Sequence, residues 1–228
     1  RLLQKKREFN VMPTFDIMHV SSVHSRIDTR IRYKQCVELA RAYPGQVAYV
    51  VQDGKGDETN AGSGLSILDV GEKPKLRAFR ALLGNWRMVR AVGKHQAKIV
   101  HFHDPELIIT GLISKMLGRR VIYDIHEDVP NQLLAKSYIK SRFVRRIVSK
   151  IMEFIEAFAV GVFDKSVPSV HSIAQRFPVA KTCVVRNFPR AELTKGDANI
   201  TDASQRFIIN YAGSLTKIRG ILDLVEAM

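Results

Sequence analysis

The sequence predicts a doubly wound α/β domain, a parallel sheet covered by helices on both faces. Three observations carry that expectation. Apolar runs of strand length recur along the chain, segments of helical period separate them, and a late polar stretch is followed by a fresh strand–helix start.

In order, DIMHVSS (16–22) reads as a strand and DTRIRYKQCVELARAY (28–43) as a helix. QVAYVVQD (46–53) and LSILDVG (65–71) read as strands, and a long helical pattern runs from Lys75 to about Gln96. KIVHFHD (98–104), a helix over 105–117 and RRVIYDIHE (119–127) come next. A helix over roughly 141–163 precedes short strands at KSVPS and TCVVRN. From 188 to 205 the chain is polar and aperiodic, as in an interdomain linker, and then RFIINYAG starts a strand and ILDLVEAM a helix. The expected organisation is a basic arm (1–15), a first domain (16–187), a linker (188–205) and the beginning of a second, truncated domain (206–228).

Composition fits a globular chain of 228 residues, 46% hydrophobic and 25% charged. The 36 basic against 22 acidic residues leave a net charge of +14, a field that attracts anions. Nucleic acid is set aside because no reading motif or aromatic platform accompanies the charge. Cys36 and Cys183 lie in apolar segments and are expected as buried, reduced thiols. No run is apolar and long enough to span a bilayer.

The first strand is not followed by G-x-G-x-x-G, and no G-x-x-x-x-G-K-[ST] occurs, so dinucleotide and P-loop readings lose support. The glycines of DGKGDETNAGSG precede a strand and suit an exposed connection, not a phosphate cradle. In a doubly wound sheet ligands bind beyond the carboxyl ends of the strands. Three polar clusters fall there: SSVHSRID with His24, Arg26 and Asp28; HFHDPE with His103 and Asp104; and DIHED with His126, Glu127 and Asp128. Asp28 suits either a helix N-cap or a ligand contact, and Asp104 before Pro105 has the pattern of an N-cap. His101 lies deeper and suits a satisfied core position. A metal-dependent hydrolase using His101, His103 and Asp104 is an alternative, but its ligand set is thin. A noncatalytic protein that binds anionic surfaces is another.

HFHDPELIITGLISKMLGRRVIYDIHEDVPNQ, VVRNFP, YAGSLTKIRGILDLVEAM and HSRIDTRI together resemble bacterial glycosyltransferases of family 4 with the two-domain GT-B fold, of a polysaccharide or O-antigen assembly type. The resemblance runs from about Asp16 to the end. It implies a retaining, metal-independent transferase of the hexosyltransferase type with no obligatory cofactor. A UDP- or GDP-sugar would be the donor, and a glycan or lipid-linked glycan the acceptor. His126 would touch the donor sugar and Arg219 its diphosphate, with Gly213, Ser214 and Gly220 in the donor loop. Asp28 would orient the acceptor hydroxyl, with His24, Arg26, His103, Asp104, Glu127 and Asp128 about the cleft. Ser214 stands where many members carry a second basic residue, and a Gly-Gly pair often found after the first strand is absent. The implied location is cytoplasmic.

In KSYIKSRFVRRIVSKIMEFIEAF, residues Ile139, Phe143, Ile147, Ile151, Phe154, Ile155 and Phe158 form a stripe at helical spacing. Arg142, Arg145, Arg146 and Lys150 lie broadly opposite. The pattern fits a core helix with a solvated basic face, or peripheral contact with acidic lipid at the inner face of the cell membrane.

Overall fold

The structure, a computed structural model, describes residues 14–59, 64–74, 80–136, 138–189, 211 and 220–227. The chain divides into two compact units, Arg1–Asn187 and Phe188–Met228.

The first unit holds one parallel sheet of six strands: β1 (Ile17–Val20), β2 (Val47–Val51), β3 (Ser66–Asp69), β4 (Ile99–Phe102), β5 (Arg120–Ile125) and β6 (Lys165–Pro168). The order is β3-β2-β1-β4-β5-β6, so the direction of winding reverses between β1 and β4. This doubly wound α/β arrangement is the one the strand–helix alternation predicts.

Helix α1 runs over Thr29–Cys36 in wide π turns and continues as Val37–Ala42. On the sheet's other side lie α2 (Arg80–Gly84 continuing as Asn85–Lys94), α3 (Ile108–Met116) and the long α5 (Arg142–Val162). The short α4 (Val129–Ala135) precedes α5, and α6 is the single turn His171–Ala174. In the second unit, α7 (Ile221–Glu226) follows Gly220, whose φ of 68° suits glycine. The predicted strand 206–213 lies outside the described residues apart from Tyr211, as does most of the linker.

Period-two alternation separates two cores. Met18, Val20, Val100, Phe102, Tyr123 and Ile125 point to one side and pack with Met88, Ile108, Ala159 and Phe163. On the opposite side Tyr49, Val51 and Ile67 pack under Ile31, Cys36 and Ala40 of α1. That second apolar core stops at β1. Beyond it, the same face of β1, β4 and β5 carries His19, His101, His103 and Asp124.

Two expectations are corrected. TCVVRN does not form a strand; it runs beside β6 through one bridge, Ser166–Thr182, and two backbone hydrogen bonds. Cys36 is buried but Cys183 is exposed, on the segment that runs beside the edge strand β6; both are free thiols. The glycine loop after β2 is an exposed connection, as expected, and its amides close on a carboxylate of the chain itself. The Asp69 carboxylate accepts from the backbone N–H groups of Asp53, Gly54, Gly56 and Gly71 at 2.8–3.2 Å. Burial would raise the Asp69 pKa, and these amides outweigh it and hold the group ionised.

Candidate functional site

Beyond the carboxyl ends of β1, β4 and β5, at the reversal of winding, lies a cavity of about 390 Å³. Val23, His24, Asp104, His126, Glu127 and Tyr138 are among its lining residues, and His103 forms part of its floor.

Asp104 fixes the mouth of β1. Its Oδ2 accepts from Ser21 Oγ at 2.8 Å, Ser22 N at 2.7 Å, Ser22 Oγ at 3.3 Å and Val23 N at 3.2 Å. The residue occupies the N-cap position before Pro105, but its side chain makes no cap bond, being turned instead to the β1 loop and His24. The loop it organises presents His24. There Nδ1 lies 3.1 Å from Asp28 Oδ2 and Nε2 lies 3.5 Å from Asp104 Oδ1. The hydrogen bond to Asp28 raises the His24 pKa, outweighing burial. Asp28 also caps α1, accepting from Ile31 N at 2.8 Å. Burial opposes its ionisation, yet His24 and the Ile31 amide win and hold it at about 2.

Below the cleft the polar row is continuous. His19 and His101 are register partners on β1 and β4, their rings 4.5 Å apart. His103 Nε2 lies 2.9 Å from His19 Nδ1, and His103 Nδ1 faces Asp124 Oδ2 at 3.3 Å and His126 Nε2 at 3.2 Å. Asp124 is fully buried and anchored from α1, with Arg30 Nη2 at 2.7 Å and Gln35 Nε2 at 2.7 Å. Burial resists its charge, but the His103 bond and the surrounding imidazoles hold the carboxyl well below the usual range. Burial also brings His101 and His103 down to about 3 and lowers His126. These imidazoles are therefore neutral near pH 7, and the positive partner of Asp124 is Arg30.

His24, His103, Asp104, His126 and Glu127 converge on the cavity as the strand ends suggested. Two predicted cleft residues are held elsewhere. Arg26 forks onto Asp53 at 2.6 and 2.7 Å and also donates to Gly56 O, tying the first loop to the second. Asp128 caps α4 through Asn131 N and pairs with Arg176 at 3.2 Å. His101 is not satisfied: its buried Nε2 has no hydrogen-bond partner, and neither has His19 Nε2. Sequence reading counted Asp124 among the ligand hooks of DIHED and left Arg30 without a role; the structure buries Asp124 on Arg30 and Gln35 instead. Their signal was a carboxylate amid the apolar residues of β5 and a cation one residue into α1.

Among the described residues two groups bring potential metal ligands within 4.8 Å of one another, His19–His101–His103 and His103–Asp124–His126. Asp104 belongs to neither, so the hydrolase ligand set does not assemble. A cation bound by Asp124 would also sit against the Arg30 guanidinium. Gly213, Ser214 and Arg219 lie outside the described residues.

No protein-family model and no curated protein matches the chain. Among solved structures, HepE of Anabaena, in complex with UDP and glucose, is similar at 10% identity and a TM-score of 0.45, over 75% of this chain and 44% of that one. UDP-N-acetylglucosamine 2-epimerase of Rickettsia bellii gives 12%, 0.45, 75% and 44%, and MurG of Acinetobacter baumannii 14%, 0.41, 79% and 47%. The chain thus spans less than half the length of these structures.

Proposed function

We propose that the chain carries the acceptor-side domain, and the start of the donor domain, of a glycosyltransferase. It would move a sugar from a UDP- or GDP-sugar to a glycan or lipid-linked glycan, with retention, in assembly of a cell-surface polysaccharide. The carrying observation is the cavity at the reversal of winding, lined by His24, His126 and Glu127, in a domain whose first loop has no phosphate-binding glycines. Such a site suits sugar hydroxyls, and it leaves the diphosphate to the second unit, in keeping with the sequence resemblance.

The chemistry follows from charge. Cleaving a glycosyl–phosphate bond builds negative charge on the leaving diphosphate and positive character on the anomeric carbon. Arg219, with Gly213, Ser214 and Gly220 of the same sequence motif, would take the former by charge-assisted hydrogen bonds. His126 lines the cavity with its Nε2 held by His103, and a neutral imidazole can bind a hydroxyl without repelling the cationic sugar. His24 would meet the acceptor hydroxyl. Asp28, ionised and already doubly bonded, orients His24 and is a weak base itself.

The test is transfer by the full-length protein with His126→Ala and with Arg219→Ala, alongside a thermal-shift screen of nucleoside diphosphates and nucleotide sugars. Each variant should lose at least about a hundredfold in rate with its fold intact. Wild-type rates in both would refute the site assignment. Loss of activity to a chelator would favour the metal-dependent hydrolase.

A further inference from the structure

Helix α5 is inverted relative to the usual surface helix. Its inward face carries Ser149, Glu156, Ala159 and Val160, all buried. Ser149 Oγ donates to Pro130 O, and Glu156 accepts from Arg176 at 2.5 Å and from Tyr123 Oη at 3.3 Å. The large apolar side chains face solvent: Phe143 is 71% and Phe154 72% exposed, with Ile147, Ile151 and Phe158 between and beyond them. At 1.5 Å per residue the stripe is about 22 Å long. Exposed Leu134 and Tyr138 extend it, and Tyr138 also lines the cavity.

Arg142, Arg146 and Lys150, all exposed, run along one flank of this stripe. Arg145 does not join them; it turns back to Leu134 O. No described helix is long and apolar enough to cross a membrane. An apolar ridge with a cationic border is the form of a helix that lies within a lipid interface. The charge of +14 attracts an anionic surface and repels a second copy of the chain.

We propose that this face docks on an anionic membrane, with α5 in the plane of the lipid–water interface, its phenylalanines among the acyl chains and its cations at the headgroups. Tyr138 then brings the rim of the cavity to the headgroup level, within reach of an amphiphilic acceptor. That last step rests on the transferase reading; the docking does not.

Co-flotation of the full-length chain tests it, using phosphatidylcholine vesicles with and without about one third phosphatidylglycerol. Binding should require the anionic lipid and fall with salt. Replacing Arg142, Arg146 and Lys150 by Gln should weaken it on the order of a hundredfold, from roughly fivefold per cation. Phe143→Ser with Phe154→Ser should also abolish it while circular dichroism stays unchanged. Binding that survives the serine pair would overturn in-plane insertion. Absence of vesicle binding would overturn the docking, and so would a dimer in light scattering that the serine pair dissociates. Flotation needs no donor, so its failure leaves the transfer reading standing, and loss of transfer in detergent leaves the docking standing.

Discussion

The Arg30 guanidinium, at the start of α1, lies 2.7 Å from the Asp124 carboxylate at the end of β5, and both are buried. The pair locks the helix over the histidine row that floors the cavity. Asp124→Asn should leave Arg30 uncompensated and cost on the order of 3 kcal/mol, read as a shift of the urea midpoint. Arg30→Met should cost a comparable amount, and the double variant much less than the sum. Additive costs would show that the two charges are not coupled.

The buried imidazoles set the acid limb of stability. His101 and His103 titrate at about 3 in the fold against 6.5 when exposed. Their native environment refuses a proton that the unfolded chain accepts, so stability is whole above 6.5 and is lost as pH falls from there toward about 3. The Asp28 contribution lies lower, lost from 3.8 down through about 2. His24 runs the other way: its raised pKa stabilises below 6.5 and the gain fades as pH rises through its folded value. The buried pair outweighs this single, partly exposed group. Denaturation midpoints should therefore drop between about pH 7 and 5, before carboxylates titrate; a flat profile there would contradict the assignment.

Asp28 has a structural and an electrostatic part that substitution can separate. Asp28→Asn keeps a side-chain acceptor for Ile31 N and removes the charge beside His24. An NMR titration should then show the His24 pKa moving down toward its unperturbed value, with stability at neutral pH falling by the charge's share alone. Asp28→Ala should move it similarly and in addition cost about 1 kcal/mol through loss of the cap.

Gly111 in α3 lies against the aromatic core. A Cβ built there would come within 2.7 Å of Phe102 Cε1 and 2.8 Å of Phe163 Cζ. Gly111→Ala should gain about 1 kcal/mol of helix propensity and lose more to overpacking, about 1–3 kcal/mol, for a net loss. Gly93, with nothing within 4 Å of its Cβ position, should give the opposite sign. Thermal unfolding of the two variants checks the contrast.

The sequence by itself determined the six strands of the sheet, most of its helices, and which edge of the sheet gathers polar groups, since these depend on local periodicity and on where strands end; at TCVVRN the apolar pattern gave only one bridge to β6. It did not reveal that Arg26 and Asp128 are spent on loop and helix anchoring while Asp124 and Arg30 form the keystone. A side chain's partner across 94 residues is fixed by how α1 lies on the sheet, which no local pattern encodes. The stripe on α5 was legible from spacing, but its direction was not. Periodicity defines that two faces exist, whereas the packing of Glu156 against Arg176 and Tyr123 decides which one turns inward.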